Sequence, residues 1–237
     1  MERLRLFPLN TVLFPGAVLS LHIFEPRYRQ LIAECLEKGE AFGVCLIREG
    51  DEAGDPEVMP HEVGTSAEIS VMRPLEGGRC YISTVGRRRF RIERIVGREP
   101  YLLAEVQYLA DEAPLDTAAV ESSLAQIGEV FAEYLRLLVE FSGTLMDTTL
   151  PEDPEEASYL IGDALQVADA MKQRLLEVAS TQERLNVELG FLRRLLPQLR
   201  ALLERKRDLP QAERAPAPGG TFRADQERYF GKHFSLN

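Results

Sequence analysis

Apolar and polar residues alternate along the first hundred residues of the chain. Apolar side chains take every second position in segments 4–8, 19–23 and 67–71, which is the period-two pattern of a strand with one buried face. Segment 42–47 is a continuous apolar run and predicts a strand that is buried on both faces. Residues 49–60, between these strands, are polar and predict a loop.

Proline and glycine mark the ends of these segments. Phe14-Pro15-Gly16 and Glu76-Gly77-Gly78 predict turns. Pro26 suits the first position of a helix and Gly39 suits the position after its end, so we expect a helix over 26–38. The expected buried face of this helix consists of Tyr28, Leu31, Ile32 and Cys35.

Two further apolar runs, 81–85 and 90–95, flank Gly86, and this arrangement predicts a hairpin that turns at the glycine. Pro100 precedes a last strand over 102–108. Six or seven strands with one short helix, and no β-α-β alternation, predict an antiparallel sheet that is curled into a small barrel.

The period of the pattern changes beyond residue 112. Seven apolar residues recur at 4-3-4-3 spacing between 120 and 141, which places them on one face of a long helix. Asp153, Pro154 and Glu156 together have the residue types of a helix start with a capping box. A second apolar stripe, 157–168, follows this start.

The same periodicity continues to residue 207. We expect a third short helix over 170–178, and a fourth that begins with the capping box of Ser180 and Glu183. A leucine stripe runs along the fourth helix, and Pro197 should kink or break it, because proline removes one hydrogen bond and clashes with the preceding turn.

These patterns predict an α+β chain in three parts. Residues 1–112 form the barrel, residues 113–207 form a helical bundle, and residues 208–237 form a flexible tail that contains proline and glycine.

Composition narrows the classes of function. With 28 Lys and Arg against 38 Asp and Glu, the net charge of −10 lacks the positive field that dominates nucleic-acid affinity, so nucleic acid is an unfavoured partner. The chain has neither an apolar run long enough for a membrane span nor the apolar core of a signal peptide, so we expect a cytoplasmic protein without a membrane partner. Three cysteines without CxxC spacing and three dispersed histidines predict no metal site, and no motif predicts a cofactor.

Three blocks of the chain resemble one known family in the same order. LFPLNTVLFPGAVLSLHIFEPRY (6–28), GRRRFRIERIVGREPYLLAEVQYL (86–109) and SYLIGDALQVADAMKQRLLEVASTQERL (158–185) are similar to the Lon N-terminal, or substrate-binding, domain and to the helical segment that follows it. The resemblance implies a PUA-like β pseudo-barrel that is followed by helices. The second block is similar to a later hairpin of that domain.

The sequence also lacks features of full-length Lon, and these absences bear on the expected function. The sequence has no G-x-x-x-x-G-K-[ST] phosphate loop and no G-x-S-x-G elbow, and it is too short to contain the Ser-Lys protease domain. We therefore expect a stand-alone Lon-type domain that binds but does not catalyse. The oligomeric state stays open.

The resemblance implies binding of unfolded or extended polypeptide, or of a partner protein. We expect the site in a groove between barrel and bundle, where an extended peptide can add to an exposed strand edge. Candidate ligand contacts are Arg27, Tyr28, Arg79 and Tyr81. A structural alternative is that Glu25 pairs with Arg27 while Tyr28 fills the core.

Two other functions stay open. Arg87, Arg89 and Arg91 alternate along a strand and would share one face, which is the point where a PUA-like barrel would contact RNA. The alternative for this segment is a solvated face that is paired with local acids such as Glu93. A small-ligand sensor or a cryptic hydrolase would use a pocket of the barrel instead.

Overall fold

We describe the fold from a computed structural model, which covers residues 2–51, 57–113, 116–142 and 149–208; the expected tail and part of the 49–60 loop lie outside these residues. The strands are β1 (Glu2–Leu9), β2 (Val18–Ile23), β3 (Phe42–Glu49), β4 (Met59–Pro60), β5 (Val63–Pro74), β6 (Cys80–Gly97) and β7 (Leu102–Tyr108). The helices are α1 (Pro26–Lys38), α2 (Thr117–Ser142), α3 (Pro154–Ala164), α4 (Asp169–Glu177) and α5 (Thr181–Asp208). The predicted α+β class is confirmed.

Five strands close a ring in the order β1-β7-β6-β5-β3, because β3 also pairs with β1. The β1–β3 pair is parallel and the other pairs are antiparallel. Closure pairs both edges of the ring strands and so removes the open edges that invite aggregation. This ring is the predicted pseudo-barrel.

A three-stranded extension projects beyond the ring. The first part of β6, Cys80–Val85, pairs with β2 on one side and with the end of β5, Ile69–Pro74, on the other. We call these three segments (18–23, 69–74 and 80–85) the extension.

The two sheet faces bury separate apolar clusters. Phe90, Leu6 and Ala104 belong to the cluster that fills the ring. On the opposite face, residues of α1 pack against Leu19 and Ile82 of the extension. The predicted bounds of α1 are confirmed: Pro26 begins the helix, and Gly39 ends it in the left-handed region with φ of 64°. Its buried residues are the four expected, Tyr28, Leu31, Ile32 and Cys35.

A polar cluster ties α1 to the ring. The Arg5 side chain of β1 donates from Nε to Glu34 Oε2 over 3.1 Å. The Tyr101 hydroxyl donates to the same oxygen over 2.5 Å. The Tyr101 bond is the largest cause that lowers the pKa of Glu34 to about 2, because both donors favour the charged carboxylate.

The predicted hairpin at Gly86 is wrong, because β6 runs through this residue as one strand of 18 residues. Gly86 instead marks a close approach of two backbones. Its N–H donates to Ala17 O over 2.9 Å, and a Cβ built on it would lie 2.2 Å from Phe14 O. The glycine is therefore required for contact with the loop before β2, and the chain turns later, between β6 and β7.

Two β-bulges interrupt the β5–β6 pairing. Thr65 pairs with Arg89 and Ala67 with Gly86, so β6 carries one extra residue opposite Ser66. The Ser66 hydroxyl fills this first bulge by donating to Arg88 O and accepting from Arg88 N–H, each over 3.1 Å. An extra residue reverses the faces of the side chains on either side of it.

The second bulge lies in β5. Ile69 pairs with Thr84 and Val71 with Ser83, so Ser70 is the extra residue, and its hydroxyl donates to Ser83 O over 2.9 Å. Ile69 consequently packs against the α1 cluster while Val71 is exposed. The expectation that segment 67–71 keeps one buried face is therefore wrong at Val71.

The chain divides into two compact units. Unit 1 is the chain up to Asp111 together with α4, and unit 2 comprises α2, α3 and α5. Helix α4 packs on β5, where Gln173 Nε2 donates to Val63 O over 3.0 Å. Although its sequence pattern placed α4 with the other helices, its contacts belong to the barrel.

Unit 2 is built on apolar faces of α2 and α5. Asp153 caps α3 as expected, accepting from Glu156 N–H over 2.9 Å. Of the expected kink or break at Pro197, the break is absent, since α5 continues through the exposed proline. Buried leucines on both sides, Leu192, Leu196 and Leu199 among them, hold the helix together despite the lost hydrogen bond.

Candidate functional site

Exposed apolar side chains concentrate on the extension. Although Met72 pairs with buried Ile82 and so lies on the face opposite Val71 and Tyr81, six of the nine large apolar side chains that are exposed in the described residues lie within 18–24 and 71–81. These six are Val18, Phe24, Val71, Met72, Leu75 and Tyr81. Clustering of this kind marks an interaction surface, whereas scattered exposed apolar residues need no explanation.

The strand register shows how these side chains line up. His22 of β2, Tyr81 of β6 and Arg73 of β5 pair directly and therefore form one row on the same face of the extension. The row beside it contains Val71, and Val18 lies in the row beyond. We call Val18, His22, Phe24, Val71, Arg73 and Tyr81 the extension patch.

The centre of the extension patch is aromatic. The His22 ring lies 4.7 Å from the Tyr81 ring and 5.6 Å from the Phe24 ring, measured between centroids. Tyr81 and Phe24 are each more than half exposed. Rings of this kind offer large, rigid contact area at low cost in conformational entropy.

Arginines surround the 3-10 turn at Glu76–Gly78, which joins β5 to β6. The guanidinium of Arg29, from α1, lies against Gly78, and Arg79 Nε donates to the backbone oxygen of Glu76 over 3.2 Å. Within the described residues, Arg29, Arg73 and Arg79 have no carboxylate within salt-bridge distance. Among the described residues of this end, three arginines thus face one acidic residue of the turn, Glu76, which gives an excess of positive charge.

The other two candidate contacts lie at the start of α1. Arg27 Nε donates to Glu25 Oε2 over 3.0 Å, and its guanidinium lies 4.5 Å from the centre of the Tyr28 ring. Tyr28 is only 4% exposed and stacks on Phe7 at 3.8 Å. These are the contacts of the structural alternative, so we leave Tyr28 out of the binding surface.

The expectation that Arg87, Arg89 and Arg91 share one exposed face is wrong. The bulge opposite Ser66 places Arg87 and Arg89 on opposite faces. Arg89 is 2% exposed, donates from Nη1 to Leu176 O over 2.7 Å and pairs with the buried Asp111, while Arg87 pairs with Glu68 at 2.7 Å. Arg91 is exposed like Arg87, so the predicted row of three arginines is broken by buried Arg89, which holds α4.

An open groove of about 680 Å³ lies elsewhere on unit 1. Its lining combines two carboxylates with an aromatic ring, and Arg88 covers that ring at 4.1 Å from its centre. The lining residues are Glu2, Glu93, Val106, Gln107 and Tyr108. This shallow, acidic surface is unlike the enclosed, mostly apolar pockets that bind small molecules.

The three cysteine thiols are poor candidates for nucleophiles. Burial raises the pKa of the Cys35 thiol to about 11 and also raises the pKa values of Cys45 and Cys80, so the thiols stay protonated at neutral pH. No cluster of three His, Cys, Asp or Glu side chains there could hold a metal ion. None of the described helices is long and apolar enough to span a bilayer.

Sequence reasoning named Tyr81, and Arg79 beside the patch, but missed the other five members of the extension patch. The exposure of Phe24 could have been predicted from the sequence. Leu19 and Ile23 take alternate positions on the buried face, so Phe24, which directly follows Ile23, falls on the opposite face. The exposure of Val71 could not have been predicted, because it depends on the bulge at Ser70.

Comparison with known proteins agrees with this architecture. The family model for the ATP-dependent protease La (LON) substrate-binding domain matches residues 3–194. Lon protease of Syntrophus aciditrophicus is 25% identical over 192 residues, which cover 78% of this chain and 24% of the relative. Lon protease of Flavobacterium johnsoniae is 27% identical over 195 residues, which cover 77% and 24%. The chain therefore spans about a quarter of the length of these curated relatives.

Solved structures give the same result. The crystal structure of a Lon N-terminal domain protein from Xanthomonas campestris superposes with a TM-score of 0.61 at 26% identity and covers 80% of this chain and 98% of that one. The N-terminal domain of Mycobacterium avium complex Lon protease has a TM-score of 0.60 at 20% identity, with 81% and 98% covered, and supports the fold alone. From the family match over most of its length, the chain belongs to the LON substrate-binding domain family.

Proposed function

We propose that this protein is a non-catalytic binding module whose extension patch takes unfolded or extended segments of other polypeptides. The observation that carries the proposal is the concentration of exposed apolar side chains on the extension, in a chain of the substrate-binding domain family. The expected groove between barrel and bundle stays a prediction, and the proposal needs only residues of unit 1.

The chemistry of the patch suits unfolded chains. Apolar side chains that are buried in folded proteins become available in unfolded ones, and Val18, Val71 and Phe24 offer them a complementary surface. Tyr81 and His22 add rings with polar atoms, which tolerate many neighbouring side chains. Such a surface favours exposed apolar segments without demanding one sequence.

A direct test measures the fluorescence anisotropy of a fluorescein-labelled unstructured peptide that is rich in valine and leucine. We expect saturable binding, and we expect the double variant Val71→Ser/Tyr81→Ser to weaken it about tenfold or more, because both side chains lose their apolar contact area. The matched control is Val187→Ser, which removes an exposed valine from α5 of unit 2 and should leave the affinity unchanged.

Equal affinities for the double variant and the parent protein would refute the extension patch as the site, and absence of saturable binding would refute the function. A parallel titration uses a labelled single-stranded RNA. Retention of RNA that falls steeply with salt, and that the double variant loses, would assign the patch to nucleic acid instead.

A further inference from the structure

We propose that the bound polypeptide adds to the free edge of β2 as a further strand that runs parallel to β2, which deepens and rests on the proposed function. The edge of β2, rather than the face of the extension alone, would then select extended chains. Backbone hydrogen bonds would supply affinity that does not depend on sequence.

The first argument is that β2 has an open edge. All six of its residues, Val18–Ile23, pair with β6, and among the described residues no second strand pairs with β2. The register of this pair has no bulge, so alternate N–H and C=O groups of β2 point away from β6 in a regular row.

The second argument is that the β2 strand itself carries none of the residues or irregularities that usually protect an edge. Natural sheets blunt exposed edges with lysine, proline, a bulge or a covering element. The sequence VLSLHI has none of these residues, and β2 has no bulge. An unprotected edge beside exposed apolar side chains is a liability unless a chain pairs with it in use.

The opposite edge of the extension provides an internal contrast. There the end of β5 also has no second partner among the described strands, because β3 pairs with β5 only as far as Ala67. This edge, however, contains the bulge at Ser70, carries Arg73 and ends at Pro74. The features that discourage pairing are present on β5 and absent on β2, which points to β2 as the functional edge.

Charge adds a preference for the ligand. Arg79 follows the β2–β6 register to a position opposite Phe24, at the end of β2, and Arg29 lies against the same turn. An added strand that runs parallel to β2 has its carboxyl end beside Phe24 and would bring its last side chains close to these cations. The occupant we infer is therefore an extended polypeptide with acidic residues, or its own carboxylate, at that end.

The decisive probe is a fluorescein-labelled octapeptide of alternating valine and threonine that ends in two aspartates. Two derivatives carry N-methyl groups on alternate amides, one derivative for each phase. Only one phase of amides can face β2. We expect one derivative to bind about tenfold more weakly or worse, because it loses every hydrogen bond that it donates to β2, and the other to bind like the parent peptide.

Amide hydrogen exchange provides a second measurement on the protein itself. With the parent peptide bound, we expect slower exchange at alternate residues of β2, those whose N–H groups face the free edge, and little change at the residues between them. Replacing both aspartates by asparagine should weaken binding several-fold at low salt and much less at high salt.

The outcomes separate the two proposals. If the parent peptide does not bind, the proposed function fails. If it binds but both methylated derivatives bind equally well, with no alternate protection in β2, strand addition fails while the patch stands. If sedimentation shows a dimer that the peptide does not dissociate, and the β2 amides are already protected, a second copy occupies the edge and the inference is overturned.

Discussion

Strand β6 belongs to two regions, and the same face of this strand is buried in one region and exposed in the other. From Arg89 onward it belongs to the closed ring, where Phe90 points into a filled interior. From Cys80 to Val85 it belongs to the extension, where the continuation of that face carries Tyr81 and is open to solvent. One strand thus passes from a part whose edges are all paired to a part with a free edge.

This difference indicates that the ring provides stability and that the extension provides the surface for binding. The ring gains its stability from closure, apolar filling and the buried Arg89 contacts, so little of it is available to a ligand. The extension is held from one face by α1 and leaves the other exposed. Changes in the ring should therefore affect unfolding, and changes in the extension patch should affect binding.

The largest effect is expected from Arg89→Met. The substitution removes the charge that compensates buried Asp111 and the hydrogen bond to Leu176 O. Loss of one partner of a buried pair costs about 3–5 kcal/mol, and urea denaturation should show a decrease of that size in the free energy of unfolding. A decrease no larger than that of an exposed arginine would contradict the role of Arg89.

The second largest loss of stability is expected from Gly86→Ala. The added Cβ would lie 2.2 Å from Phe14 O and 3.2 Å from Leu13 Cγ, so backbone has to move where ring and extension meet. Overpacking of this kind costs about 1–3 kcal/mol. The control is Gly190→Ala in α5, where an added Cβ would meet nothing within 4 Å beyond its own stretch of helix, so alanine should stabilise the helix by about 0.5–1 kcal/mol. Equal stabilities of the two variants in urea would disprove the close approach.

Tyr101→Phe should change the acid titration of the ring more than its stability at neutral pH. The pKa of Glu34 is about 2, below its ordinary 4.5, so this carboxylate stabilises the fold fully above pH about 4.5, and its contribution is lost as the pH falls towards about 2. Without the Tyr101 hydroxyl the pKa should move back towards 4.5, as followed by NMR of the side-chain carboxyl. The same substitution at exposed Tyr81 should leave this pKa in place.

The smallest effect is expected from Arg87→Met. Arg87 and its partner Glu68 are both more than half exposed, so solvent and salt screen the pair. An exposed pair contributes about 0–1 kcal/mol, and the free energy of unfolding should change by less than about 1 kcal/mol. Because Arg87 lies two residues from Arg89, a loss as large as that of Arg89→Met would remove the distinction between the exposed and buried arginines.

Local signals predicted most of the fold. Pro26 and Gly39 delimited α1, and its spacing identified the buried face, because capping and periodicity act within one turn of helix. Tertiary contacts decided the rest. Gly86 looked like a turn because a glycine between two apolar runs has the same pattern whether the chain reverses or another backbone approaches.

The candidate site was less predictable for a related reason. Alternation assigns faces only while pairing is regular, and the bulges at Ser66 and Ser70 each shift it by one residue. Arg89 was expected to be exposed and is buried, and Val71 was expected to be buried and is exposed. Both errors come from bulges, and the cover that α4 gives Arg89 is formed by a segment distant in sequence.

The two bulges also constrain how this hairpin can change length. Between the pairs Thr65–Arg89 and Val71–Ser83, each strand contains five residues, so the extra residue of β6 and the extra residue of β5 cancel. A single deletion would leave them unequal: in β6 it would rotate Tyr81 to the buried side, and in β5 it would do the same to Arg73. Insertions and deletions in this segment are therefore tolerated in pairs, one per strand, and relatives that differ in length here should show such compensating changes.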